Sequence, residues 1–239
     1  MYSIIMKEKM NSNKKTAIIV GVLYIIATVA YSLAMILLDP IISSSDYLIQ
    51  ASLNASQVII GTFLVLIDAV AVAGIGICMY KILKKYNKTL ALGFLSARVV
   101  EGAIFMLTII PTLALLTLSQ EFIKAGSPDV SYYQTLGTVL LSVGNWIFLI
   151  GYGLVFALPA LILNFILYKS KFVPRWLSGW GFASAVFILA NYLLQYFGIN
   201  PFEVLDFSIA IQEMVFAVWL IVKGFDLSTI THVSTKITY

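Results

Sequence analysis

Among 239 residues there is one cysteine, Cys78, and one histidine, His232. A lone thiol excludes a disulfide framework within the chain and any cysteine-rich metal site. A lone histidine leaves Ser142, Ser178 and Ser184 without a general base for nucleophilic chemistry. Charge is scarce as well: 11% of residues carry it, against about 25% in soluble domains. Such a chain cannot cover a water-facing surface, and it has no linker, low-complexity tract or soluble domain. Asp68 lacks the G-x-G-D setting of an intramembrane aspartyl protease, and Gly151-x-Gly153 falls in the middle of an apolar run rather than in a phosphate loop. No catalytic residue, metal site or cofactor is expected.

What the chain has in abundance is apolar length. It is 61% hydrophobic with a mean hydropathy of +0.98. Six stretches are long enough to cross ~30 Å of hydrocarbon at 1.5 Å per residue. They run over 17–38, 58–80, 90–118, 145–168, 177–197 and 204–223. The sequence therefore predicts an all-α, polytopic transmembrane bundle of six helices in a single domain, with tails at 1–16 and 224–239. The first stretch is too long for a signal-peptide core and has no clean A-x-A site, so it reads as a span.

Thirteen of the fifteen basic residues fall on one side of this scheme. They are Lys7, Lys9, Lys14 and Lys15, then Lys81, Lys84, Lys85 and Lys88, then Lys169, Lys171 and Arg175, and finally Lys223 and Lys236. Only Lys124 falls opposite, and Arg98 is inside. The positive-inside rule then predicts both termini in the cytoplasm of a cell membrane. The net charge of +4 reads as contact with the bilayer, with anionic lipids at the cytoplasmic face, and not as nucleic-acid binding.

On the outer side, 39–57 has room for a short interfacial helix. Residues 119–133, with Gly126, Pro128 and Asp129, read as a loop, and Gly198-Ile199-Asn200-Pro201 as a compact turn. The apolar pattern of 131–168 is too long for one span. A break at Gly144 is expected, with an interfacial or re-entrant piece over 131–143. Asn54-Ala55-Ser56 matches a glycosylation sequon to which no role is assigned. Pro111 and Pro159 should kink the third and fourth spans. Ala69-x-x-x-Ala73 and Gly74-x-Gly76 give the second a face for close packing.

Four charged residues lie within these spans. Asp68 and Glu101 each fall thirteen residues from the basic ends marked by Lys81 and Lys88, roughly 20 Å deep. Arg98 lies ten from Lys88 and Glu213 ten from Lys223, both roughly 15 Å deep. They therefore share a central layer. Spacing of three puts Arg98 and Glu101 on one helix face, and Thr108 and Thr112 continue the Glu101 stripe. Asn164, Asn191 and Gln212 add neutral hydrogen-bonding groups. Three acids face one arginine, which can neutralise about one carboxylate, so an acid in excess is either protonated or holds a cation. Charges at this depth mark a ligand or ion pathway, or they form a pair that only fixes helix register. Both readings stand.

Several runs resemble the bacterial domain-of-unknown-function family 4386. They are Leu83-Lys84-Lys85-Tyr86-Asn87-Lys88-Thr89-Leu90-Ala91-Leu92 with Ala97-Arg98-Val99-Val100-Glu101-Gly102, and Phe148-Leu149-Ile150-Gly151 with Leu167-Tyr168-Lys169-Ser170. Val173-Pro174-Arg175 with Leu177, and Glu213 followed by Trp219-Leu220-Ile221-Val222-Lys223-Gly224-Phe225, extend the likeness over most of 16–226. The resemblance implies a six-helix integral membrane protein of unestablished function, with Arg98, Glu101 and Glu213 at the family's charged positions. It also implies a histidine where this chain has Pro159, which counts against histidine chemistry here. Glutamates in the third and sixth spans would suit a 3+3 inverted repeat around a midplane site, but their flanking sequences do not match. The functional expectation is a site that binds or transports a small molecule, ion or lipid headgroup. The alternatives are an accessory membrane subunit whose charges lock its helices and, third, a membrane-embedded hydrolase.

Overall fold

The computed structural model describes residues 2–126, 130–199 and 206–228, with side chains over 12–126, 132–199 and 207–228. Every described element is helical: α1 (Tyr2–Ile42), α2 (Tyr47–Leu53), α3 (Ala55–Leu83), α4 (Lys88–Lys124), α5 (Val130–Phe148), α6 (Phe156–Ser170), α7 (Arg175–Tyr196) and α8 (Asp206–Val222). A π-helical turn, Leu149–Val155, joins α5 to α6 without a break. Five stretches are long and apolar enough to cross a membrane: Ser12–Ile42, Ala55–Leu83, Lys88–Lys124, Tyr132–Ser170 and Arg175–Tyr196. Phe207–Val222 is a shorter apolar helix; the start of the predicted sixth span, 204–205, lies outside the described residues.

The helices turn their charged residues inward and much of their apolar surface outward. Ile36, Phe63, Ile77, Ile110, Phe187 and Val222 stand exposed, whereas Asp68, Arg98 and Glu101 are buried. That inversion suits a hydrocarbon solvent, in which outward apolar surface costs nothing and inward polar groups find partners.

Three boundaries differ from the sequence reading, each for a local reason. α4 continues past Leu118 to Lys124, through much of the predicted loop. The short helix α2 holds these extra turns: the Ser119 hydroxyl donates to the Leu48 carbonyl, and Phe122 packs with Leu48 and Leu115. Gly126, with φ +72°, then ends the helix in a conformation that favours glycine. Likewise, α1 carries through Pro40 to Ile42, although the proline offers no N–H to the Ile36 carbonyl.

The expected break at Gly144 is not there. The helix passes straight through, and Gly144 serves packing instead: a Cβ on it would sit 3.6 Å from the Pro111 ring of α4. The irregularity comes five residues later, in the π-helical turn. Pro159 has no N–H for the Val155 carbonyl at the end of that turn, and the Phe156 N–H reaches back to Gly151, so the ladder is reset there. Pro128, Asp129, Asn200, Pro201, His232 and Lys236, together with the side chains of Lys7 and Lys9, lie outside the described residues.

The main apolar core lies toward the basic end of the bundle, around Ile75, Met79, Phe94, Ile166, Phe172 and Phe216. A second cluster, including Leu38, Val58 and Leu116, lies toward the opposite end. The helices leave open space between them.

Candidate functional site

Small residues set the distances at the middle of the bundle. A Cβ on Gly102 of α4 would meet the Ala69 carbonyl oxygen of α3 at 2.8 Å, and one on Gly76 would meet the Cβ of Arg98 at 2.9 Å. Only glycine permits either approach. α3 and α4 therefore press together at the level of Asp68, Arg98 and Glu101. Gly21 does the same for α1 and α8: its Cβ would lie 2.6 Å from the Ala217 carbonyl oxygen. One turn further along each of those helices come Tyr24 and Glu213.

Arg98 is the hub. One terminal nitrogen, Nη1, donates to both Glu101 oxygens at 3.0 and 3.2 Å. The other, Nη2, donates to the Tyr24 hydroxyl at 3.2 Å and to Glu213 Oε1 at 3.4 Å. Its guanidinium lies 5.6–5.7 Å from the ring centroids of Tyr24, Phe94 and Phe156. Rings and carboxylates around a buried arginine offset the desolvation penalty that an isolated one would bear in full. Its Nε alone is buried without an acceptor.

Asp68 differs. It is 4% exposed, yet no hydrogen bond or ion pair joins its carboxyl to a described residue. It lines a cavity of about 220 Å³ together with Arg98, Glu101 and Glu213. The four charged side chains of the central layer thus share one space. The neighbouring walls are aromatic or hydroxylic: Tyr24, Thr28, Tyr31, Phe105, Tyr152 and Phe156. Among the described residues, no three acidic, histidine or cysteine side chains are placed to hold a metal ion.

A second cavity, of about 650 Å³, adjoins the first and shares Tyr31, Ser32, Tyr152 and Phe207 with it. Thr108 and Thr112 line this larger space, with Asp39, Thr62 and Asn145. Their hydroxyls donate to the carbonyls of Phe105 and Thr108 in their own helix. At the junction the Tyr31 and Tyr152 rings stack 6.3 Å apart at 4°. Tyr152 is carried on the π-helical turn and stacks further on Phe148 and Phe156. The turn thus aims a tyrosine at the passage between the two cavities.

The remaining polar residues are placed differently. Asn164 donates to the Ala160 carbonyl at 2.9 Å and fills the contact with Gly181. Gln212 donates to the Leu177 carbonyl at 3.2 Å, tying α8 to the start of α7. Both border a void of about 10 Å³ behind Arg98. Asn191 is buried in α7 and lines neither cavity.

The sequence reading missed Tyr24, Thr28, Tyr31 and Ser32. Their signal was present, because spacings of four, seven and eight from Tyr24 form one helix stripe in an otherwise aliphatic span. Tyr152 gave no such signal, since its position depends on a π-helical turn.

A family model described as "Domain of unknown function (DUF4386)" matches residues 19–224, and the chain belongs to that family. It is 27% identical over 172 residues to an uncharacterised protein of Archaeoglobus fulgidus, an alignment covering 72% of this chain and 86% of the relative. No solved structure matches it.

Proposed function

We propose that this DUF4386 protein is a six-span protein of the cell membrane, with both termini cytoplasmic, that binds and exchanges a small cationic solute in its central cavity. The orientation rests on the thirteen basic residues gathered on one side of the scheme. It is not an enzyme in this reading, in which the cavity lining offers neither histidine nor cysteine and its carboxylates serve the solute.

One observation carries the proposal: the buried, unpaired Asp68 carboxyl facing a cavity whose single arginine is already shared by Glu101 and Glu213. The cluster has more acid than base, and charge at that depth is balanced by a partner or a proton. Aromatic walls add the ring faces that attract ammonium groups. A protonated amine with a small apolar body meets both conditions, and a proton alone could occupy the same carboxyl between cycles. The wider adjoining cavity supplies a route on the side away from the basic loops.

Cysteine accessibility tests this. In a Cys78→Ser background, Thr28→Cys should react with a cationic trimethylammonium-ethyl methanethiosulfonate about tenfold faster than with its sulfonate counterpart. Asp68→Asn should remove that preference. Equal rates, or faster anionic labelling, would refute the cationic solute and keep the cavity. If neither reagent reaches Thr28→Cys while Leu53→Cys, 72% exposed, labels freely, no solute enters. The charges then serve only to lock the helices.

A further inference from the structure

Two stretches far apart in sequence, Lys171–Arg175 and Trp219–Asp226, meet at the basic end of the bundle around a cleft of about 500 Å³. They include the Val173-Pro174-Arg175 and Lys223-Gly224-Phe225 runs, which the central cavity does not use. Their meeting is fixed. The Asp226 N–H donates to the Phe172 carbonyl at 2.9 Å, and Phe172 and Val173 are buried in the main core, against which Phe225 packs.

Into this cleft come Lys171, Arg175 and Lys223. None forms an ion pair with a described carboxylate. Arg175 lies over the Tyr168 ring at 5.3 Å, which orients its guanidinium. The one acid in the lining, Asp226, accepts the Ser228 N–H at 3.0 Å. Lys171 is the only non-glycine residue of positive φ among the described residues, at 59°. It stands at the left-handed end of α6, where glycine is the usual occupant. A lysine kept in that conformation suggests a use for its side chain.

We propose that this cleft binds a phosphate group, carried either by an anionic phospholipid or by a soluble phosphomonoester. Three converging donors match the acceptor oxygens of a phosphate, with Arg175 able to take two of them and the lysines acting as point charges. General attraction between basic loops and anionic lipids explains why cations gather on one face. It does not explain why three converge on one cleft between pinned loops, one of them at a strained position. This site is independent of the central cavity and stands or falls separately.

The test uses the full chain in detergent, with native mass spectrometry reading bound lipid. Phosphatidic acid should bind at least about tenfold tighter than phosphatidylcholine, a difference of roughly 1.4 kcal/mol. The variant Lys171→Gln/Arg175→Gln/Lys223→Gln should lose that margin. Lys14→Gln/Lys15→Gln/Lys88→Gln, which removes equal charge elsewhere on the basic side, should keep it. Competition by glycerol 3-phosphate but not by glycerol would identify a soluble ligand; its absence, with tight phosphatidic acid binding, a lipid. Should the triple variant fail to fold, Lys171→Gly provides the second reading, because it relaxes the backbone while removing one donor. It should raise thermal stability and weaken phosphatidic acid binding severalfold. Equal losses in the cleft and control variants, or a Lys171→Gly protein that binds as before, would overturn the proposal.

Discussion

The central cavity and the basic cleft handle charge in opposite ways. In the cavity, one arginine is surrounded by carboxylates, a tyrosine hydroxyl and three rings. In the cleft, three cations stand exposed without a carboxylate partner among the described residues. The difference follows from the surroundings. At depth an unpaired charge costs several kcal/mol, so Arg98, Glu101 and Glu213 are tied to one another across neighbouring helices. At the helix ends water and headgroups solvate the cations, so little is lost by leaving them free. Asp68 breaks the pattern, being deep and unpaired, and for that reason it carries the functional proposal.

The largest way to sharpen this contrast is to remove the hub. Arg98→Met leaves Glu101 and Glu213 without their cation and should destabilise the protein by about 3–5 kcal/mol, the usual cost of breaking a buried pair. The measurement is thermal unfolding in detergent, together with the amount of protein in the membrane. Arg98→Met/Glu101→Met removes both partners of the closest pair and should recover part of that loss. A double variant as damaged as the single would mean that Glu213 and Asp68 weigh as much as Glu101 in balancing the arginine. By contrast, neutralising Arg175 in the cleft should change stability by less than about 0.5 kcal/mol.

The next effect concerns the approach of α3 and α4. Gly102→Ala puts a methyl 2.8 Å from the Ala69 carbonyl oxygen, and backbone on both sides leaves no flexible side chain to yield. A loss of about 1–3 kcal/mol is expected. Because Glu101 is the adjacent residue, cationic labelling at Thr28→Cys should slow as well. Gly93→Ala is the control, with its nearest neighbour 3.8 Å away at a side-chain end, and it should be neutral or mildly stabilising.

Much of this was legible in sequence, and the reason is the same contrast. Apolar length gives the helices directly, because a backbone in hydrocarbon must satisfy its own polar groups. Depth counting grouped Asp68, Arg98, Glu101 and Glu213, and the structure brings those four side chains to one cavity. It could not distinguish Asp68 from the others, since pairing depends on which helix faces approach. Gly144 misled because glycine marks both breaks and close contacts, and only the neighbouring Pro111 decides between them. Tyr152 was hidden because the π-helical turn shifts its register. The cleft was hidden for another reason: its cations fit the positive-inside count so well that nothing singled out Lys171, Arg175 and Lys223 from the other ten.

Within the cleft, Lys171→Gly should stabilise the protein. A left-handed L-residue costs roughly 1–2 kcal/mol relative to glycine, and glycine gives back part of this through its looser unfolded state. A net gain of about 1 kcal/mol is expected, seen as a higher melting temperature at unchanged expression. A fall instead would show that the Lys171 side chain supports the loop that carries Phe172.

The smallest effect is a pH dependence at the rim of the same cleft. The Ser228 side chain and then its backbone N–H hold the Asp226 carboxyl below the usual carboxylate range. A carboxyl depressed in the folded state stabilises above its unfolded pKa, about 3.9 for aspartate, and that contribution is lost as pH falls through the lower folded value. Asp226→Asn should therefore lower the melting temperature slightly at pH 7 and flatten the stability profile below about pH 4. The two proteins should converge in strong acid, where the native carboxyl is itself protonated. Asp226 is exposed and is held by hydrogen bonds from Ser228 rather than by an opposite charge, so the difference at neutral pH should stay small and change little with salt. Its small size separates this group from Arg98 and Glu101, whose buried ion pair cannot lose one partner without leaving the other charge stranded.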